Sequence, residues 1–431
     1  MRLRHDLRQR VPDERLLLHG RIDFGIRVPQ ACGFGMSRAE LAGEGKVRHS
    51  AEGVPRYFSP HAADCFNNVY GAALSHLGLN PDIVLADYMN LMYDEETRCI
   101  GINFLMRFSA SNEFTEEELN SSMEFAYLPA TSLFDRRGAE SERFRRCKDR
   151  VHIRLLLTDD PETAHLRLKE RIDAGKPHIV AVDLHEMSYH RAFGREHGLH
   201  AVVITGYDEE ANVYELFDKY KHSSSDFDGT LPMEEVRRGR SGICRYDNPL
   251  TGPFAREVRN MWMEVDADPA FRVEPDKLRN VFRVSVRRMK GEETVLGQPC
   301  GLQRIARFRE AVTETGARSS SAEKEVYLFR HVYNRNLKQV SRQRKRFLVF
   351  AEAIGFMLPA SLLEMLRERL EESAMRWDIC ANLALKYGIS RKPDALEEMA
   401  RQLFLIEGLE REIAEKLEAQ SEREEGYSCT R

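Results

Sequence analysis

Three residues could do chemistry together in this sequence: Cys65, His200 and Asp218. Cys65 falls in the first turn of a segment, Ala63 to Leu77, in which Phe66, Val69, Tyr70, Ala73, Leu74 and Leu77 recur at helical spacing until Gly78 stops the pattern. The unpaired amides and the dipole at a helix start favour a thiolate, the form of cysteine that attacks carbon. The same position suits a cysteine that is merely packed. His200 heads an apolar run to Tyr207, and Asp218 lies near the far end of the next run, Val213 to Tyr220, with Asp208 to Asn212 as the turn between them. In an antiparallel hairpin of that kind the two lie about equally far from the turn and can face one another across the strands. A carboxylate there fixes the imidazole tautomer and supports the imidazolium once it has taken a thiol proton. The bland alternative is a hydrogen-bonded core histidine beside a strand-end aspartate.

The surrounding sequence must supply the elements that hold them. A second helical pattern runs from Pro81 to about Met92, and an apolar strand-like run from Cys99 to Phe108. The polar stretch 108–150 holds one helical pattern around Glu116 to Phe125. A strand over 151–157 leads to Asp160-Pro161-Glu162, which opens a helix ending at Gly175, and a strand follows over His178 to Leu184. A short helix begins at Pro232. From about residue 275 helical periodicity dominates, and the last segment sets Leu396, Met399, Leu403, Ile406, Leu409, Ile413 and Leu417 along one face. That stripe suits an intramolecular core and leaves a homodimer possible. Helix-start cysteine, strand-head histidine and acid on the next strand is the chain order of papain-like folds. The expected fold class is α+β: an irregular N-terminal arm over 1–50, a papain-like cysteine-peptidase-type domain over 51–272, an all-helical domain over 273–420 and a flexible tail over 421–431.

Composition narrows the class. Hydrophobic residues at 42% and charged residues at 31% suit a globular chain with a sizeable core. A net charge of −4 with both signs interspersed gives no pull toward nucleic acid or an anionic membrane. No apolar run approaches a membrane span. The basic start MRLRHDLRQR runs into polar sequence, so no secretory leader is expected. The eight cysteines are scattered without a C-x-x-C pair, which reads as reduced thiols in a cytoplasmic protein.

Two blocks resemble a known family. Gly175-Lys-Pro-His-Ile-Val-Ala-Val-Asp183, Met187-Ser-Tyr189 and His197-x-x-His-Ala-Val-Val-Ile-Thr-Gly-Tyr-Asp208 resemble the butirosin-biosynthesis acyltransferase family, whose N-terminal part is a papain-like module related to the bacteriocin-processing cysteine peptidases. Gly301 to Ala306, Arg346 to Ala353 and Arg376-Trp377 resemble the helical domain often paired with that module, so the resemblance spans roughly 55–390. It implies transfer of an acyl group from an acyl or peptidyl carrier protein to an amine-bearing small molecule. Cys65 would attack the phosphopantetheinyl thioester, His200 would serve as base, and Asp218 would orient His200. No cofactor is expected beyond the phosphopantetheine that the carrier presents. The sequence departs from papain-like enzymes where a glutamine would stand six residues before the cysteine: here it is Ser59. The Cys65 amide and the side chains of Asn67 or Asn68 are the replacement oxyanion donors.

Other residues admit weaker readings. Asp183 could bind the acceptor amine or simply cap the turn after its strand. Tyr189 could line the cleft, although structural packing suits it better. His185, His190, His197, His200 and His222 are dense but match no metal-ligand spacing, so no metal is expected. The absence of G-x-x-x-x-G-K-[ST] gives ATP use no support. Arg342-Gln-Arg-Lys-Arg346 reads as a solvated face that could receive an acidic carrier protein. The competing functions are a cysteine peptidase or amide hydrolase of the same fold, and an idle module that binds a carrier protein or synthetase.

Overall fold

The structure is a computed structural model and describes residues 47–62, 65–86, 88–95, 98–102, 134–135, 151–219, 226–246, 253–267, 269, 271–295, 298–315 and 322–428. In chain order its strands are β1 (Arg48–Ser50), β2 (Met92–Tyr93), β3 (Ile100–Gly101), β4 (Phe134–Asp135), β5 (Val151–Leu156), β6 (His178–Asp183), β7 (Leu199–Asp208), β8 (Val213–Asp218), β9 (Phe227–Pro232), β10 (Ile243–Tyr246), β11 (Phe254–Glu257), β12 (Trp262–Ala267), β13 (Thr294–Val295) and β14 (Gln298–Pro299). The helices are α1 (Cys65–His76), α2 (Pro81–Val84), α3 (Pro161–Asp173), α4 (Met233–Ser241), α5 (Pro275–Lys290), α6 (Leu302–Thr315), α7 (Ala322–Tyr327), α8 (Asn334–Ala353), α9 (Ala360–Ser390) and α10 (Asp394–Ser428). The fold is thus mixed α/β, with a sheet in the N-terminal half and a helical C-terminal region. No described helix is long and apolar enough to cross a membrane.

The main sheet runs β4-β5-β12-β6-β7-β8-β9, with β1 pairing the far end of β7. All its pairs are antiparallel except β4 with β5. All of β6 and eight of the ten residues of β7 are buried. Such unbroken apolar runs belong to strands covered on both faces. Helix α3 starts where the sequence predicts: the Asp160 carboxylate accepts the amides of Glu162 and Thr163, and Pro161 fills the position whose amide would be spare. Helix α1 packs on β7, which brings the Cys65 helix against the strand that carries His200. The segment before α1 also lies close against it at Gly71, where a Cβ would lie 2.0 Å from the Tyr57 ring.

Two apolar cores form. One joins residues 51–85 to the sheet, and the other joins residues 86–102 to the helices beyond 278. This division explains why the helix expected from Pro81 to Met92 stops at Val84. The carbonyls of Tyr88, Asn90 and Ile100 are claimed by Gln343 (2.7 Å), Arg344 (2.9 Å) and Asn336 (2.8 Å) of α8. Those bonds draw the chain out as an extended clasp, with β2 and β3 forming a short ribbon. The strand expected over Cys99 to Phe108 therefore appears as β3 alone. Its remainder, and the helix expected at Glu116 to Phe125, lie outside the described residues.

The basic run 342–346 is not the solvated face that its composition suggests. Arg344 is fully buried and forms a two-pronged ion pair with the equally buried Glu410, both N–O distances being 2.8 Å. Trp377 and Ser373 donate to the same carboxylate, each at 2.8 Å. Arg346 donates to the Leu85 carbonyl (2.7 Å), and Lys345 pairs with Asp378 (2.9 Å). Glu410 occupies the inward line of α10 that Leu409 was expected to hold, between Ile406 and Ile413, both fully buried. The α10 stripe packs within the chain, against α9, α6 and α5.

Candidate active site

Cys65, His200 and Asp218 come together. Cys65 is the first residue of α1, so its amide is among those a helix leaves without an intrahelical partner. His200 is the second residue of β7 and Asp218 the last of β8. The His200 Nε2 lies 2.7 Å from Asp218 Oδ2, and both side chains are buried, at 3% and 2% exposed. Cys65 lies close enough to the same imidazole to act on it electrostatically. Burial pushes His200 toward its neutral form, but the charges on Asp218 and Cys65 outweigh that and hold its pKa well above the ordinary histidine value.

The two strands meet there through a fault in their ladder. Near the turn, Asp208 pairs with Val213, Tyr207 with Tyr214 and Gly206 with Glu215, but Ile204 pairs with Leu216 and Val203 with Phe217. Thr205 is the extra residue. Its Oγ1 donates to the Glu215 carbonyl at 3.5 Å and its own carbonyl accepts Ala51 N–H at 2.7 Å. Continued without the bulge, the register would set Asp218 opposite Val203, on the face away from His200. With the bulge, Asp218 belongs to the face of Val202 and His200 and reaches the histidine along the diagonal.

The other candidates divide. Asn68 is buried and spent at both ends: its Oδ1 accepts the Ser59 amide (2.9 Å) and its Nδ2 donates to the Lys219 carbonyl (3.1 Å). It thereby ties the segment before Cys65 to the residue after Asp218. Asn67 precedes it on α1 and is less buried. The buried Asp183 carboxylate is also fully engaged. Oδ1 accepts the amides of His185 (3.1 Å) and Gly198 (3.0 Å), and Oδ2 lies 2.6 Å from His197 Nδ1. These bonds close both ends of the loop 184–198, which is the turn-capping role rather than a contact with an acceptor. The His185 and His197 rings stack at 4.4 Å. Among the described residues no group of histidine, cysteine, aspartate or glutamate side chains could hold a metal ion.

Tyr189, at the middle of that loop, reaches the site directly. Its hydroxyl donates to Asp218 Oδ2 at 2.9 Å, the oxygen that His200 also uses. Its ring stacks on Phe227 with centroids 4.6 Å apart. Burial first, then the Asp218 charge, raises its pKa well above the ordinary tyrosine value, so the phenol stays a donor. Glu235 of α4, buried, accepts both the amide and the hydroxyl of Ser188, each at 2.8 Å. Composition and spacing gave no hint of Glu235, and the Met187-Ser-Tyr189 motif was the only pointer to its partner.

Residues 101–219 match the family model described as butirosin biosynthesis protein H, N-terminal, the family that the sequence resembles. The matched segment contains Asp183, Tyr189, His200 and Asp218; it begins after Cys65. No curated protein matches the chain.

Proposed function

We propose that this chain is an acyltransferase of natural-product biosynthesis, of the peptide, polyketide or aminoglycoside type. It would take an acyl group from a carrier-protein phosphopantetheinyl thioester, hold it on Cys65 and deliver it to an amine. The observation that carries this reading is the His200 imidazole held by Asp218 at 2.7 Å with Cys65 acting on the same ring. The family match over 101–219 supports the biosynthetic, acyl-transferring part of it. A cysteine at a helix start, facing a strand histidine and an acid on the next strand, supports a papain-like arrangement within the mixed α/β fold.

The chemistry follows from the positions. With Nε2 held by Asp218, Nδ1 is the nitrogen that takes the Cys65 proton, giving a thiolate–imidazolium pair. The thiolate adds to the thioester carbonyl. Its oxyanion is held by the Cys65 amide at the start of α1, with Asn67 as the adjacent side-chain donor. Collapse breaks the carbon–sulfur bond to phosphopantetheine, whose thiolate leaves with the proton from His200. The acceptor amine then adds to the Cys65 thioester, gives its proton to His200 and expels the Cys65 thiolate, leaving an amide. Asp218 keeps its charge throughout and stabilises the imidazolium in both halves.

Product analysis separates this reading from hydrolysis by the same acyl-enzyme. Acyl-loaded carrier protein is incubated with the enzyme, with and without a panel of amines. Amide formed in proportion to added amine supports transfer. Free acid at one rate, with no amide from any amine, would replace transfer by hydrolysis.

A further inference from the structure

The reading of Cys65 and His200 as a working pair gives no task to the Tyr189 hydroxyl, which nonetheless reaches Asp218 Oδ2. Resting on that reading, we infer that Tyr189 is a positioning residue of the site: its hydroxyl shares Asp218 Oδ2 with His200 and sets how firmly that carboxylate grips the imidazole.

The geometry makes the sharing specific. Asp218 is buried, so every lone pair it leaves unmet is costly, and Oδ2 receives two donors, His200 Nε2 at 2.7 Å and Tyr189 Oη at 2.9 Å. Two donors on one carboxylate oxygen fix the rotation of the carboxylate and divide its negative charge between them. A structural tyrosine would need only its ring, which is already seated on Phe227. The hydroxyl instead points to the oxygen that orients the histidine.

The loop that carries Tyr189 is braced on three sides. Asp183 closes its base through His185, His197 and Gly198. Glu235 holds Ser188, the residue before the tyrosine, by two bonds. Asp218 receives the hydroxyl itself. Such bracing is what a positioning group needs, because the effect of a donor on a carboxylate falls away within a few tenths of an ångström of misplacement. Among the described residues, the charged and titratable groups acting on this hydrogen bond include Asp218 on β8, Cys65 on α1, Glu235 on α4 and His200 on β7, with His190 edge-on to the tyrosine ring at 6.3 Å.

The test uses the full chain and iodoacetamide, whose reaction with Cys65 needs no substrate. The rate of Cys65 alkylation, followed by peptide mass mapping between pH 4 and 10 so that the other seven cysteines are counted apart, reports the thiolate–imidazolium pair. Tyr189→Phe keeps the ring and its stack but removes the donor. A larger share of the carboxylate's charge then falls on His200, and the alkaline limb of the profile should move up by about half a pH unit or more. 3-Fluorotyrosine placed at 189, a stronger donor of nearly the same shape, should move it down. This second substitution keeps the test open if Tyr189→Phe fails to fold. A wild-type profile with no thiolate reactivity below pH 7 would instead defeat the pair itself. With the wild-type profile present, limbs for both substitutions that superimpose on it, or that move with the opposite signs, would overturn the role given to Tyr189.

Discussion

Asp218 reaches His200 diagonally across β7 and β8, Oδ2 to Nε2 at 2.7 Å, only because Thr205 adds one unpaired residue to β7. A strand pair has a period of two, so a single inserted residue decides which face a side chain joins. The bulge lies five residues from the histidine and leaves the intervening ladder regular.

Asp218→Asn tests what the diagonal contact does. The amide keeps the shape but not the charge that holds the imidazolium. Cys65 acylation should fall on the order of 10²- to 10⁴-fold. The alkaline limb of thiol alkylation should move down, because the raised His200 pKa loses its main support. The stability change has a definite sign. A histidine raised on folding contributes fully below its unfolded value of about 6.5, and that contribution is lost as pH rises through the folded value. Denaturant melts of the variant should therefore lose stability most at low pH and converge on wild type at high pH. A uniform loss would point to packing instead.

Asn68→Ala should disturb the site without touching it. Two hydrogen bonds disappear, to Ser59 N and Lys219 O, and with them the tie between the Cys65 helix and the end of β8. A loss of about 1–3 kcal/mol is expected in urea unfolding, with slower Cys65 alkylation at every pH. Were Asn68 an oxyanion donor, stability would hold while acylation alone fell.

His178 gives a second pH prediction, of opposite sign. It is fully buried on β6, both ring nitrogens lack a hydrogen-bond partner, and its ring stacks on Trp262. Burial, then the charges of Arg240 and Arg171, holds its pKa well below the ordinary value. The unfolded chain therefore binds a proton below about pH 6.5 that the folded chain refuses, and stability falls by up to about 1.4 kcal/mol per pH unit there. His178→Phe should be close to neutral at pH 8 and more stable than wild type at pH 5. Equal stability of the two proteins at pH 5 would contradict this.

The buried pair Arg344–Glu410 anchors the helical core to the clasp at Asn90. Arg344→Met strands a carboxylate in apolar surroundings and should cost about 3–5 kcal/mol. Adding Glu410→Leu should restore most of it, since the desolvation penalty of the remaining charge goes with it. No recovery in the double variant would mean that the bonds the two groups make elsewhere, the guanidinium to the Asn90 carbonyl and the carboxylate from Trp377 and Ser373, matter more than the pair.

How much of this was legible beforehand depended on whether short-range pattern or long-range contact decides. The α1 pattern, the Asp160 cap and the β7–β8 hairpin are local, and Cys65, His200 and Asp218 could be read from them. Asn68 was visible as a polar residue one turn beyond Cys65, but its partners, nine and 151 residues away, were not. The inward turn of Arg344 and the shortened α2 follow from contacts across more than 250 residues. Strand β12 sits between β5 and β6 with two acids in six residues, and its alternation is too weak to announce a strand. Tyr189 lies in a loop, where no periodicity points anywhere.

The most direct measurement is intact mass of the protein mixed with acyl-loaded carrier proteins, wild type beside Cys65→Ala. The account predicts an adduct of the acyl mass on wild type that Cys65→Ala lacks and that an amine acceptor discharges. No adduct from a broad panel of acyl thioesters, with Cys65 also slow toward iodoacetamide, would contradict it and leave a module that binds without catalysing.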